Sequence, residues 1–220
     1  MKTRMLFPGA GALVLFLTAA AQAGPTLLCH PFEIGDARSL PWSENGWNSP
    51  RADYDRARLV EDTFARLGSD VPVIVRMETL RRAALYAGSD AKAAEALLAR
   101  LQERAEKNAK DSLALFDAGY LSALYRQVEW VARPRHSMPQ ATADAGTRVL
   151  AALSLRGADP EMEYAAALLT VGTPAAEPHL ARAVEGATAD SRLARTLTAH
   201  APLWGARLVE LRARQSRAAR

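Results

Sequence analysis

The chain has 220 residues, 49% of them hydrophobic, with 28 Lys and Arg against 24 Asp and Glu and a formal charge of +4. That charge is too small to point to a nucleic-acid partner, and the length suits one sizeable core. The single cysteine, Cys29, excludes an internal disulfide, so the fold has to rest on apolar burial.

The first residues read as an export signal. Lys2 and Arg4 precede an apolar stretch from Gly9 to Thr18, and "AAAQAGP" then places Ala21 and Ala23 where signal peptidase expects small residues. Cleavage is expected after Ala23, making 1–23 a leader and the mature chain a soluble periplasmic or secreted protein. The apolar run is shorter than the ~20 residues a spanning helix needs. Leu28, just before Cys29, argues against lipid attachment at the thiol.

Residues 24–52 have no helical stripe. They carry Pro25, Pro31, Pro41 and Pro50, with Phe32, Trp42 and Trp47 between them. A segment this aromatic is not expected to be a disordered tail. It is expected to lie as a strap across the first helices, its rings filling the open end of a helical stack.

From Asp53 to Arg214 the pattern is helix after helix. "DYDRARLVEDTFARLG" aligns Tyr54, Ala57, Val60, Phe64 and Leu67 and ends at Gly68. "VIVRMETLRRAALYAG" aligns Ile74, Met77, Leu80 and Ala84. "SDAKAAEALLARLQERAEK" offers Asp90 as a cap and Ala94, Leu97, Leu98, Leu101 and Ala105 as a buried side. "DSLALFDAGYLSALYRQVEWV" aligns Leu113, Phe116, Tyr120, Leu124 and Val128. "TADAGTRVLAALSLRG" does so with Val149, Leu150 and Leu153. In "DPEMEYAAALLTVG", Asp159 caps, Pro160 opens the first turn, and Glu161 and Glu163 complement the helix dipole. "EPHLARAVEG", "DSRLARTLTAH" and "PLWGARLVELRAR" complete the series, and residues 215–220 are expected to fray as a basic tail.

Helix starts near Glu78, Ser112, Pro160 and Ser191 recur at intervals mostly close to ~34 residues, with an inserted loop at "VARPRHSMPQ". In this periodicity the chain resembles tetratricopeptide-like helical-hairpin repeat proteins, although "FDAGYLSALY" only echoes the family signature. The expected fold is all-α: stacked helical hairpins, as a solenoid or a compact bundle, with an irregular N-terminal strap. Two-helix units of this kind bury their apolar sides only by stacking on neighbours.

Chemical motifs are sparse. Cys29 and His30 are adjacent, a spacing that does not suit one metal ion, and the thiol is expected to be buried and inert. His136, His179 and His200 form no ligand spacing and are expected to be ordinary surface or half-buried residues. No serine elbow, phosphate loop or dinucleotide fingerprint is present. Glu61–Asp62 and Glu161/Glu163 are explained by solvent-facing and first-turn positions. Neither a catalytic residue nor a metal or cofactor is expected.

Recognition is the reading favoured by stacked amphipathic helices. The expected contacts are Arg82, Tyr86, Ser122, Tyr125 and Arg126 on a concave face, with Arg133 and Arg135 in the inserted loop near Trp130. Arg and Tyr are frequent interface anchors. The expected function is a protein- or peptide-binding scaffold of the cell envelope. The alternative is a periplasmic enzyme or small-ligand-binding protein, its site between the strap and the first helices around His30, Trp42 and Trp47.

Overall fold

A computed structural model describes residues 25–43, 45–132, 134, 136–140 and 144–218, so the leader expected at 1–23 lies outside the described residues. Within them the chain is all-helical, with ten α-helices and no strand. None of these helices is long and apolar enough to cross a membrane.

The first expected helix is much shortened. Asp55 caps a 3-10 turn at Arg56–Arg58, and α-helix begins only at Leu59–Phe64, α1. A 3-10 turn advances ~120° per residue rather than 100°, which rotates the register of the helix after it. Ala57 therefore points outward, and Leu59 and Thr63 take the inward positions instead.

Helix α2, Val73–Ala87, decides the architecture, because thirteen of its fifteen residues are buried. The expected stripe of Ile74, Met77, Leu80 and Ala84 is inside, but so is the other side, with Arg76, Glu78, Thr79 and Arg81. A helix covered all round is a central one. In an open repeat array each helix keeps an outer face, whereas here the hairpins wrap around α2. It touches α1, α3 (Ala91–Lys107), α4 (Ser112–Ala132) and α6 (Pro160–Leu169).

The remaining helices follow their caps. Asp90 accepts from Ala93 N at 3.1 Å, and α3 buries Ala94, Leu97, Leu98, Leu101 and Ala105 as the spacing predicts. Helix α5 is Ala145–Arg156, capped by Asp144, and packs on α4. Gly119 makes that approach possible, since a Cβ there would lie 2.8 Å from Arg148 Cβ. Val149 is buried as expected and Leu153 partly so, but Leu150 is 44% exposed, and α5 buries Ala145 and Ala152 as well.

Helices α6 and α7, Ala176–Gly186, form the tightest hairpin. A Cβ on Gly186 would come within 2.5 Å of Pro160 Cβ. Ser191 caps α8, Arg192–Ala199. The stretch read as one C-terminal helix is two, α9 (Ala201–Trp204) and α10 (Ala206–Ala218), because Gly205 breaks it at φ +55°. Helix α10 continues through the first residues of the expected frayed tail, while 219–220 lie outside the described residues.

One ion pair locks the early helices together. Arg76 Nη1 donates to Asp117 Oδ2 at 2.7 Å, and neither side chain has any exposure. The guanidinium also donates to the carbonyls of Leu67 (3.0 Å) and Val71 (3.3 Å), closing the turn between α1 and α2. From α3, Arg104 reaches the same carboxylate at 3.4 Å. Burial works against both charges, lifting the Asp117 carboxyl and lowering the Arg76 guanidinium, while their mutual attraction opposes it.

Asp117→Leu should cost about 3–5 kcal/mol, because it strands a buried guanidinium. The double variant Arg76→Met with Asp117→Leu should recover most of that loss. Urea denaturation of the wild type, both single variants and the double measures the coupling.

Candidate functional site

The strap is part of the core. Leu27, Leu28, Phe32, Ile34 and Leu40 are buried, whereas Trp42 and Trp47 are half-buried against the core. Aliphatic anchors and Phe32, more than the indoles, hold it down. It does not plug one end of a stack, because it runs from the early helices to the late ones. An irregular segment has no ladder of its own, so its backbone polar groups need outside partners. The helical body supplies them from side chains.

Glu78 on α2 is the central partner. Its Oε2 accepts from Phe32 N at 3.1 Å and from Arg81 Nε at 2.8 Å, and its Oε1 accepts from Arg81 Nη2 at 2.9 Å and Arg82 Nε at 2.7 Å. Burial pushes this carboxyl up, but the hydrogen bonds and charges of Arg81 and Arg82 pull it below the usual carboxylate range. Arg81 then donates to the carbonyls of Leu28 (3.0 Å) and Trp47 (2.8 Å), and Arg82 to that of Leu40 (2.7 Å). Both guanidiniums lie near the Trp42 ring, at 5.2 and 5.7 Å from its centroid.

Tyr86 continues the row. Its hydroxyl donates to Pro41 O at 2.6 Å and accepts from Arg51 N at 3.0 Å, and its ring meets Trp42 edge-on and Tyr54 at 4.4 Å. Beside it, where the strap ends and the 3-10 turn begins, lies a cleft of about 470 Å³. Leu40, Pro41 and Tyr54 give it apolar surface, and Arg51, Arg58, Arg66, Asp53, Asp55 and Asp62 give it charge of both signs. It holds two ion pairs: Arg51 with Asp53, both exposed, and exposed Arg58 with half-buried Asp62 at 3.2 Å. Tyr54 donates to Asp62 at 3.0 Å.

The strap's first half is held by the late helices. Thr26 Oγ1 donates to Leu168 O on α6 at 3.2 Å, Glu33 N to Thr196 Oγ1 on α8 at 3.0 Å, and Arg192 Nε to Ile34 O at 2.9 Å. His200, between α8 and α9, faces Pro31 O through Nε2 at 2.9 Å. A carbonyl only accepts, so Nε2 carries the proton and Nδ1 takes the Tyr164 hydroxyl hydrogen at 2.7 Å. Tyr164 in turn accepts from Trp204 Nε1 at 3.2 Å. Burial lowers His200 to about 4, and the His30 and Arg81 charges act in the same direction.

Among the described residues, the expected contacts do not form one exposed face. Tyr86, Ser122 and Tyr125 are buried: Ser122 bonds back to Ala118 O at 2.7 Å, and Tyr125 reaches Ala94 O on α3 at 3.1 Å. Ser122 and Tyr125 lie inside because α4 is sandwiched between α2, α3 and α5, and Tyr86 because strap residues Pro41 and Trp42 cover it. Arg82 is largely covered by the strap, and Arg126 is exposed beside Asp144 at 3.5 Å. Arg133 and Arg135 lie outside the described residues. Trp130, near them, is 73% exposed.

Two of the alternative site residues come together with two from the recognition list: Trp42 and Trp47 join Arg82 and Tyr86 around Arg81. His30 serves a different contact, with its ring 5.4 Å from that of His200. Burial raises the half-buried Cys29 thiol and so keeps it protonated.

Sequence reasoning missed Glu78, Arg81, His200 and Tyr164. The usable signal was in "VIVRMETLRRAALYA", where the charges fall around the helix instead of on one side. His200 is buried where a half-exposed position was expected, because strap residues Pro31 and Phe32 cover it. His179 pairs at 2.6 Å with Glu163, which is buried against α7 and also held by Arg182, so Glu163 is not the solvent-facing first-turn charge expected. Glu161 instead accepts from Ile74 N at 2.9 Å, at the start of α2. Among the described residues, no group of three His, Cys, Asp or Glu could hold a metal ion.

The chain matches no protein-family model, no curated protein and no solved structure.

Tyr86→Phe keeps the ring and removes both bridges to the strap. It should cost about 1–3 kcal/mol, the usual loss when buried polar groups are left unpaired. Chemical denaturation checks the size, and faster amide exchange at Arg51 checks the place.

Proposed function

We propose that this chain is an exported binding protein of the cell envelope, and that it recognises a short polypeptide segment at the cleft where the strap meets the first helical turn. The observation that carries this reading is the cleft's composition: an apolar floor of Leu40, Pro41 and Tyr54 walled by three arginines and three aspartates. Its volume falls within the range of ligand sites. A polypeptide offers apolar side chains, charges of both signs and backbone carbonyls, all of which these walls can meet. The internal pairs Arg51–Asp53 and Arg58–Asp62 are open to solvent on at least one side, where water screens them and leaves them weak. They can therefore be exchanged for an incoming segment's charges at little cost. The cleft is also stiffly backed, because the Tyr54 ring packs at a tilt, 4.4 Å away, against that of Tyr86, which the strap clamps. Pre-set walls reduce the ordering cost of association.

The test is a titration of the 24–220 chain with a pooled library of mixed-charge peptides, followed by amide chemical shifts. Shifts should concentrate at residues 40–41 and 51–66. The double reversal Arg58→Glu with Arg66→Glu should weaken binding at least ~10-fold, the effect of 1.4 kcal/mol. It should leave the helical fold intact by circular dichroism, Arg58 being exposed and Arg66 half-buried. Absence of binding by any pool, or binding indifferent to the reversal, would refute the cleft as the recognition site.

A further inference from the structure

His200 joins three pieces of chain that are far apart in sequence. On one side it holds the strap at Pro31, and on the other it holds Tyr164 of α6, which holds Trp204 of α9. The hydrogens in this relay have a single consistent arrangement. The Trp204 N–H donates to the Tyr164 oxygen, the Tyr164 O–H donates to Nδ1, and Nε2–H donates to Pro31 O. A second proton on the imidazole would occupy Nδ1, and the Tyr164 hydrogen would lose its buried acceptor. The surroundings also resist the charge. From the strap, the His30 ring stands edge-on and the Phe32 ring lies 5.3 Å away. From α2, Arg81 repels an imidazolium, while Glu78, which would attract it, is already engaged by Arg81 and Arg82. A protonated His200 is therefore driven toward water.

The two segments beside it differ in grip. The strap has five buried apolar side chains, and its carbonyls are held by Arg81, Arg82 and Arg192. Residues 201–218 bury Leu208 and Leu211, with Leu203 and Trp204 partly covered. Their other ties are Gln215 to Val184 O at 2.9 Å, Arg212 to Thr198 at 2.9 Å, and the exposed Arg207–Glu177 pair at 2.8 Å. Helix α9 buries no residue fully.

We propose that His200 is a proton-operated latch on the C-terminal arm, residues 201–218, and that acidification frees the arm while the strap stays docked. This concerns the arm alone and does not depend on the cleft reading. The sign follows from the folded imidazole at about 4 against an ordinary 6.5. The closed state binds fewer protons than the open one between those values. The latch therefore holds fully above pH 6.5 and is lost as pH falls toward 4.

Hydrogen exchange of the 24–220 chain, corrected for intrinsic rates, tests this at pH 7 and pH 4.5. Opening of 201–218 should rise several-fold, with roughly 50-fold as the ceiling that full hydration of the ring would give, because Pro31 and Phe32 still cover it, while 25–43 keeps its protection. His200→Gln retains a donor for Pro31 and an acceptor for Tyr164 without titrating, so its arm should stay protected at pH 4.5. The proposal is overturned by an arm equally protected at both pH values in the wild type, by equal loss in His200→Gln, or by simultaneous loss across the whole chain. Proton NMR of the wild type gives a second reading should His200→Gln misfold at pH 7: a His200 ring titrating above pH 6 would overturn the latch.

Discussion

The molecule depends on a carboxylate that has been taken out of water. Glu78 sits on the most enclosed helix and accepts hydrogen bonds from two guanidiniums and one strap amide. Desolvating a carboxylate alone costs several kcal/mol, so Glu78 is tolerable only while Arg81, Arg82 and the strap stay in place. Those same arginines hold the carbonyls of Leu28, Leu40 and Trp47. Charge compensation within α2 and attachment of the strap are thus one network. Removing any member leaves the others buried and unpaired.

A second buried pair, Arg76 with Asp117, performs the equivalent task on the opposite side of α2, toward the α1–α2 turn and α4. Between them the two networks account for how a helix rich in charge can occupy the middle of a fold. Its aliphatic residues fill the core, and its charged residues organise irregular backbone that no helix or sheet could satisfy.

Much of the helical framework was readable from local chemistry. Asp90, Asp159 and Ser191 stand where a cap is needed and accept the first-turn amides. The stripe of α3 was readable because water does cover its other side. In α2 the same rule failed. Arg76, Glu78 and Arg81 look like a solvated face, but their partners come from segments distant in the chain, such as Phe32 and Asp117. The Glu78–Phe32 bond spans 46 residues and the His200–Pro31 bond spans 169. A periodicity argument sees neighbours within a turn or two, so it cannot tell a water partner from a remote one. That is also why Tyr86, Ser122 and Tyr125 looked available for recognition when they are internal. The tyrosine-floored cleft escaped notice for a related reason, since its walls come from the end of the strap, a 3-10 turn and the neighbourhood of α1, which one helical stripe had run together.

The strap's attachments bear on the order of assembly. Residues 26–34 are made well over a hundred residues before Arg192, Thr196 and His200, which hold them. Early helices such as α2 and α3 can form beforehand, but Glu78 and Arg81 would then wait, half-solvated, for a lid whose other fastenings do not yet exist. Closure of so long a loop is entropically slow. The strap's fastening is therefore completed only once residues 192–200 exist to receive residues 26–34.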